Sequence, residues 1–196
     1  GDWSSDVCSS DLAEDDAGLG ARDLDGIALR AEDCVVGLAA SGRTPYVIGA
    51  LQHARQRGAL TVAVVCSDHS AVAAAAEIPI EVLPGPEILT GSTRLKAGSA
   101  QKMVLNMLST GAFVRLHKVY GNLMVDLMAT NAKLKARSQR IVEQASHCAP
   151  EVAAATLQRC LGEVKTAIVV LLRGVEPSAA RALLAAAAGG GRQAIA

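Results

Sequence analysis

Three short apolar runs, separated by segments with helix-start signals, dominate residues 34–82. The runs are CVVGLAA (34–40), LTVAVVC (60–66) and IPIEV (78–82), and each is typical of a buried strand. Between the first two, Thr44 and Pro45 form a good start for a helix that ends near Gly58, and SDHS precedes a short alanine-rich helix. Alternation of strand and helix at this spacing predicts βαβ units and a parallel sheet in an α/β domain.

Helices are predicted for most of the remaining chain. A long helix begins at Arg94 and carries an apolar face at steps of three or four residues, and another helix covers residues 123–144. After residue 146 we place a domain boundary, because Pro and Gly punctuate three short helices there. This gives a domain over 13–146 and a small helical region over 147–196, in which the closing GGGRQAIA is predicted to be frayed.

Composition excludes several classes of function. The chain of 196 residues has 19 basic and 19 acidic side chains, a balance that argues against a nucleic-acid binder or an anionic-membrane binder. No aliphatic run is long enough to span a bilayer. The five cysteines are scattered without a zinc spacing, so we expect no metal site and predict reduced thiols in the cytoplasm.

The first twelve residues, GDWSSDVCSSDL, differ from the rest of the chain. They are rich in Ser and Asp, have no helical or strand period and contain the only tryptophan. They resemble a translated sequencing adapter joined in frame to a truncated gene, and a genuine disordered tail is the alternative. Residues 1–12 are therefore set aside from the functional interpretation.

Two loops at the predicted carboxyl edge of the sheet could bind an anion. In SGRTPY, Ser41 and Thr44 supply hydroxyls, Gly42 permits close approach of the backbone, and the following helix supplies free amides. In TGSTRLKAGSAQK, Arg94 and Lys96 lie at another helix start, where cations are unfavourable unless an anion sits between them. A simple capped turn and solvated surface cations are the alternatives.

Phosphate is the predicted anion, and the predicted ligand that carries it is not a nucleotide. The chain contains neither GxxxxGK[ST] nor GxGxxG, the phosphate loops of most nucleotide-binding proteins. Two carboxylates could supply acid–base chemistry: Glu14 in AEDDAG and Glu87 in PGPEILTG. Either would act as an acid or base only if its surroundings tuned its pKa.

Three longer segments resemble one family. GLAASGRTPYVIGAL, EILTGSTRLKAGSAQKMVLNMLSTG and KVYGNLMVDLMATNAKL are similar to the N-acetylmuramic acid 6-phosphate etherases, members of the sugar isomerase domain superfamily. The resemblance runs from about residue 13 to the end of the chain. It implies a doubly wound α/β fold with a parallel sheet, a homodimer with sites near the dimer interface, and no metal or organic cofactor.

The resemblance also implies a reaction and the residues that carry it. The family cleaves the D-lactyl ether of N-acetylmuramic acid 6-phosphate, giving N-acetylglucosamine 6-phosphate and D-lactate. One glutamate removes the proton beside the aldehyde of the opened sugar, another protonates the departing lactate oxygen, and water then adds to the unsaturated intermediate. Glu14 matches the base, and the match assigns substrate binding to Ser41, Gly42, Arg43, Thr44, Glu87, Ser92, Thr93, Arg94 and Lys96.

One departure from the family pattern qualifies this assignment. The family places a further phosphate loop and the second catalytic glutamate upstream of AED, where this chain has GDWSSDVCSSDL. We therefore expect the sheet to be incomplete at its N-terminal side and the chain to be nearly inactive. The alternatives are a non-catalytic sugar-phosphate-binding regulatory protein, like the related glucokinase regulatory proteins, and an aldose–ketose isomerase of the same superfamily.

Overall fold

The computed structural model describes residues 13–127 and 129–195, so the predictions for residues 1–12 lie outside the described part of the chain. The described residues form two compact units that divide between Met107 and Leu108. The first unit contains a sheet and its helices, and the second contains a small hairpin and the C-terminal helices.

A parallel sheet with strand order β1-β2-β3 lies in the first unit. Its strands are β1 (Cys34–Ala39), β2 (Leu60–Val65) and β3 (Ile78–Glu81). Their carboxyl ends are level, because Ala39 pairs with Val65 and Val65 pairs with Glu81. The central strand β2 is buried from Thr61 onward, which explains its continuous apolar sequence. All three predicted strands are confirmed, each ending one residue earlier than predicted.

The helices that accompany this sheet are α1 (Ala17–Gly26), which packs on α2 (Pro45–Gln56), then α3 (Ala71–Ala75) and α4 (Lys96–Arg115), whose last residues belong to the second unit. The predicted start of α2 at Pro45 is confirmed, and α4 begins two residues later than predicted. A tight core joins the sheet to the helices, since Ala63 and Val65 pack with Leu51 of α2 and Val72 of α3. The predicted α/β class, a parallel sheet followed by helices, is confirmed.

The second unit begins with a hairpin that the sequence analysis missed. Strands β4 (Val119–Tyr120) and β5 (Leu123–Met124) pair antiparallel around Gly121, whose φ of +60° suits a tight turn. The prediction of a helix from residue 123 is therefore wrong at its start. Helix α5 (Ala132–Ser146) begins only after Asn131, whose side chain accepts a hydrogen bond from Leu134 N at 2.9 Å.

Four further helices complete the second unit: α6 (Pro150–Arg159), α7 (Val164–Arg173), α8 (Pro177–Ala186) and α9 (Gly191–Ile195). The three predicted short helices are confirmed, but the predicted fraying of the last residues is wrong. Ala194 is buried, and Arg173 Nη1 donates to the Ile195 carbonyl at 2.9 Å. Helix α5 packs against α6 and α7 in this unit, and the domain boundary after residue 146 stays a prediction.

None of the helices in residues 13–127 and 129–195 is both long enough and apolar enough to cross a membrane.

Candidate functional site

The loops that follow β1 and β2 lie side by side at the carboxyl edge of the sheet. Their strands end in register, and a hydrogen bond continues the pairing from Cys66 N to the Ala40 carbonyl at 3.1 Å. One step further, Ser67 Oγ donates to the Ser41 carbonyl at 3.0 Å. The first predicted loop, residues 41–44, is therefore fastened to the loop after β2.

Gly42 is required at the centre of this junction. Its φ is +67°, a left-handed conformation that disfavours residues with a side chain. A Cβ at this position would also collide with the side chains of Ser67 and Ser70. The Gly42 carbonyl accepts a hydrogen bond from Val72 N at 3.0 Å. The backbone of the first loop therefore lies directly against the side chains of Ser67 and Ser70 in the loop after β2.

The start of α2 is not closed by a side chain. Thr44 occupies the N-cap position, yet its hydroxyl makes no capping hydrogen bond. The neighbouring Arg43 is exposed, and its amide lies 3.4 Å from Ser41 Oγ. A helix start that lacks a side-chain acceptor retains the positive end of its dipole, which favours a bound anion. The first predicted loop therefore has the geometry expected of an anion site.

The start of α4 is closed by a carboxylate of the chain itself. Glu87 accepts hydrogen bonds from Lys96 N at Oε2 and from Ala97 N at Oε1, both at 2.9 Å. These two backbone hydrogen bonds, from Ala97 and then Lys96, lower the pKa of Glu87, so the carboxylate is ionised at neutral pH. Lys96 Nζ donates to the Pro84 carbonyl at 3.3 Å.

This cap changes the interpretation of the second predicted loop. The sequence analysis expected an external anion between the cations at the start of α4, and Glu87 supplies a negative charge at that place. The side chains of Glu87 and Lys96 make intramolecular hydrogen bonds in this structure, which a substrate would have to replace. Substrate binding by these two residues stays a prediction. Arg94 and Thr93 are exposed in the turn before α4, and Ser92 is half-buried there.

The capped start of α4 lies against the end of β2. Cys66 Sγ is 3.7 Å from the Ala97 carbonyl, and Gln101 Nε2 donates to the Val64 carbonyl at 3.2 Å. Burial raises the pKa of the Cys66 thiol, and the negative charge of Glu87 raises it further. The structure thus brings together three loops at one edge of the sheet: residues 41–44, residues 66–70 and residues 87–96.

Glu14 is not brought into this junction by any described contact. It lies exposed in a helical turn before α1, and no described hydrogen bond or ion pair joins it to the three loops. Helix α1 itself is fixed on α2, since Tyr46 Oη donates to Asp23 at 2.8 Å and Asp25 lies 2.6 Å from Arg57 Nη2.

Ser67 is the residue of the junction that sequence reasoning missed. Its signal was available, because Ser67 follows a buried strand by two positions, just as Ser41 does. As for metals, no group of three His, Cys, Asp or Glu side chains within the described ranges is arranged to hold an ion. The groups that the junction offers to a ligand are hydroxyls, backbone amides and the exposed Arg43.

A family model for the SIS domain matches residues 21–111, the part of the chain that contains the sheet and all three loops. These residues are similar to a SIS domain. Curated relatives named N-acetylmuramic acid 6-phosphate etherase extend the match beyond this domain. The protein of Rubrobacter xylanophilus is 60% identical over 174 residues, which are 89% of this chain and 58% of the relative.

Two further etherases give the same picture. The Streptomyces avermitilis protein is 58% identical over 90% of this chain and 57% of its own length. The Mycolicibacterium smegmatis protein is 55% identical over 96% of this chain and 63% of its own length. The predicted resemblance to the N-acetylmuramic acid 6-phosphate etherases is confirmed. The chain spans less than two thirds of the length of these relatives.

Proposed function

We propose that this protein is a carbon–oxygen lyase that cleaves the D-lactyl ether of N-acetylmuramic acid 6-phosphate in cell-wall sugar recycling. The names of the relatives support the reaction class. The open start of α2, beside the junction of three loops, is the structural observation that carries the proposal. An anionic sugar phosphate is the kind of ligand that such an edge of a parallel sheet accommodates.

In this proposal the sugar phosphate lies over residues 41–44. The Tyr46 amide in the first turn of α2 and the hydroxyls of Ser41 and Thr44 bind phosphate oxygens, while Arg43 offers a charged donor. Gly42 keeps the loop backbone close enough to the ligand for these contacts. Ser92, Thr93 and Arg94, in the turn before α4, contact the opposite side of the sugar phosphate.

Glu14 is the proposed base that removes the proton beside the aldehyde of the opened sugar. Such a step requires a carboxylate within hydrogen-bond reach of the carbon-bound proton. Glu14 is exposed and free to meet a ligand, whereas the carboxylate of Glu87 is bound to two amides. The proposal needs no metal and no organic cofactor, since proton removal, departure of lactate and addition of water to the unsaturated sugar use only carboxyl groups and water.

A homodimer and a cytoplasmic location belong to the same proposal. Helix α4 leaves several large apolar side chains exposed, among them Met103 (60%), Met107 (63%) and Phe113 (46%), and such a surface suits a protein partner. The four described cysteines are free, as in a reducing compartment. Sedimentation of the chain is expected to show a dimer, and Met107→Lys is expected to yield monomer where Lys102→Gln does not.

The test of function measures binding and turnover together. N-acetylglucosamine 6-phosphate is titrated into the 196-residue chain by calorimetry, with N-acetylglucosamine as the control that lacks phosphate. D-lactate release from N-acetylmuramic acid 6-phosphate is measured for the same chain and for the Rubrobacter xylanophilus etherase in parallel. Thr44→Val removes the hydroxyl at the open helix start and is expected to weaken the binding of N-acetylglucosamine 6-phosphate. Thr110→Val, in α4, is the control and is expected to leave that binding unchanged.

Each outcome has a distinct meaning. D-lactate release by the chain supports the lyase and contradicts the expected inactivity of these residues. Phosphate-dependent binding without lactate supports the sugar-phosphate site and keeps the regulatory alternative, and an isomerised sugar would indicate the isomerase. If the product binds no better than N-acetylglucosamine and no lactate appears, the proposed function is wrong.

A further inference from the structure

The second unit contains a cavity that no part of the proposed reaction uses. Its volume is about 870 Å³, within the range of roughly 300–1,000 Å³ that is typical of small-molecule sites. Its apolar lining includes Val125, Leu157, Val164 and Leu184, which are buried, and Leu161, which is exposed between α6 and α7. The cavity can therefore accept the hydrocarbon part of a ligand.

Both carboxylates that line the cavity already have partners. Glu163 accepts from Thr166 Oγ1 at 2.7 Å and from Arg181 Nε at 2.8 Å. Burial alone would raise the pKa of Glu163, but these two hydrogen bonds and the charge of Arg181 lower it overall, so the group remains ionised. A cationic ligand would have to displace these donors.

Asp126 is also occupied, and its pairing leaves one cation incompletely bonded. Lys118 Nζ lies 3.0 Å from Asp126 Oδ2, which is a direct ion pair. Lys165 Nζ lies 3.9 Å from Asp126 Oδ1, too far for a strong hydrogen bond. Within the described residues the Lys165 ammonium makes no hydrogen bond, although its side chain is only 19% exposed. The stem of Lys165 is thus largely buried, while its ammonium keeps donors available to an anionic group at the cavity.

The charges around the cavity favour an anion. The lining residues and their direct ion-pair partners comprise four cations against two carboxylates; the cations are Lys118, Lys135, Lys165 and Arg181. Lys135 lines the cavity from α5, is exposed and has no ion pair with a described residue. Arg181 Nη2 is buried without a hydrogen-bond partner in the described part of the chain.

We propose that this cavity binds a small organic anion with an apolar body, its carboxylate or phosphate held by Lys165 and Lys135. The apolar body lies against Leu157, Val164 and Leu184, and the anionic group takes the hydrogen bonds that the Lys165 ammonium lacks. All of the described residues that line the cavity belong to the second unit, so this site does not depend on the proposed sugar-phosphate loops.

Octanoate is the probe, with octylamine and 1-octanol as controls of equal chain length and different charge. Calorimetry on the 196-residue chain at pH 7 and low salt is expected to give a dissociation constant of ~0.1–1 mM for octanoate, a value reasonable for about ten ligand atoms. Added salt weakens this binding because it screens the charges. Both controls are expected to bind at least fivefold more weakly.

Three variants sharpen the test. Lys165→Met keeps the aliphatic stem and is expected to raise the dissociation constant about tenfold, whereas Lys133→Met, elsewhere on α5, leaves it unchanged. Leu161→Asp places a like charge at the cavity without disturbing the fold, because Leu161 is 82% exposed and Asp tolerates its positive φ. It should abolish octanoate binding, and it decides the matter if Lys165→Met does not fold.

Several results would contradict an anion site in this cavity. Octanoate binding that is undetectable at 5 mM, or that is unchanged in both Lys165→Met and Leu161→Asp, overturns the proposal. Equal binding of 1-octanol shows an apolar cavity without an anion site and overturns it as well, as does tighter binding of octylamine.

Discussion

Three helices begin at the carboxyl edge of the sheet; Ser70 caps the short α3, and the first turns of the two longer ones, α2 and α4, differ from each other. The start of α2 has Thr44 at the N-cap without a capping hydrogen bond, and the start of α4 has both of its first two amides bound by Glu87. The loops before them have similar compositions, rich in Gly, Ser, Thr and cations. Composition therefore does not distinguish a helix start that is available to a ligand from one that the chain has already filled.

The difference teaches where an external anion can gain most. At α4, a phosphate would have to displace an ionised carboxylate that sits across two amides. At α2, a phosphate would meet the Tyr46 amide and the Thr44 hydroxyl, which make no described hydrogen bond, beside a loop held by Ser67 and Ser70. The anion site is accordingly expected at residues 41–44, with the loop before α4 in a supporting role.

The largest expected effect comes from Gly42→Ala. The substitution combines a positive φ with a collision against Ser67 and Ser70, and we expect a loss of about 2–4 kcal/mol in the free energy of unfolding, measured in urea. Gly91→Ala is the matched control in the other loop, because Gly91 has a positive φ but open space around its Cβ position. It should cost only about 1–2 kcal/mol. Equal losses in the two variants would mean that the junction around Gly42 is not tight.

The second effect concerns ligand binding and rests on the proposed function. Arg43→Met should raise the dissociation constant of N-acetylglucosamine 6-phosphate about five- to tenfold, because it removes a charged donor from the open helix start. Arg94→Met should raise it no more than about twofold, since Glu87 already supplies an anion at the start of α4. Calorimetry measures both variants, and a reversed order would place the phosphate at α4 instead.

The sequence predicted the three strands and the start of α2 well, because short apolar runs and a Thr-Pro helix start are local signals. It missed the hairpin around Gly121, whose strands have only two residues each and which carries too short a pattern to compete with a helical one. It also could not show that Glu87 caps α4, because that contact joins residues nine and ten positions apart through a loop. Ser67 could have been predicted, because it follows β2 by two positions as Ser41 follows β1, but its hydrogen bond to the Ser41 carbonyl depends on the strand register.

A smaller effect is expected from Ser67→Ala. The change removes the hydrogen bond to the Ser41 carbonyl, and the free energy of unfolding should fall by about 0.5–1.5 kcal/mol. Ser99→Ala on the exposed side of α4 is the control and should be neutral within about 0.5 kcal/mol. If Ser67→Ala is as neutral as this control, the two loops are held together without that hydroxyl.

Glu87→Gln should have the smallest effect and the clearest pH signature. At pH 7 the variant loses the charge that caps α4, and the unfolding midpoint should fall by only about 1–2 °C, because solvent screens the charge. Because the pKa of Glu87 is lowered in the folded chain, its stabilisation is complete above the ordinary glutamate pKa of about 4.3 and disappears as pH falls through the folded-state value. Thermal unfolding of both proteins from pH 7 to pH 3 should therefore show two curves that converge in acid.

Glu81→Gln, at the exposed end of β3, is the control for this pH series and should follow the unaltered chain throughout. A Glu87→Gln curve that stays parallel to that of the unaltered chain down to pH 3 would show that the carboxylate charge does not stabilise α4. The contrast between the two helix starts would then lose its electrostatic basis, and both loops would have equal claim to the phosphate. Convergence would instead establish that α4 is already satisfied by Glu87, which leaves α2 as the helix start with an unmet preference for an anion.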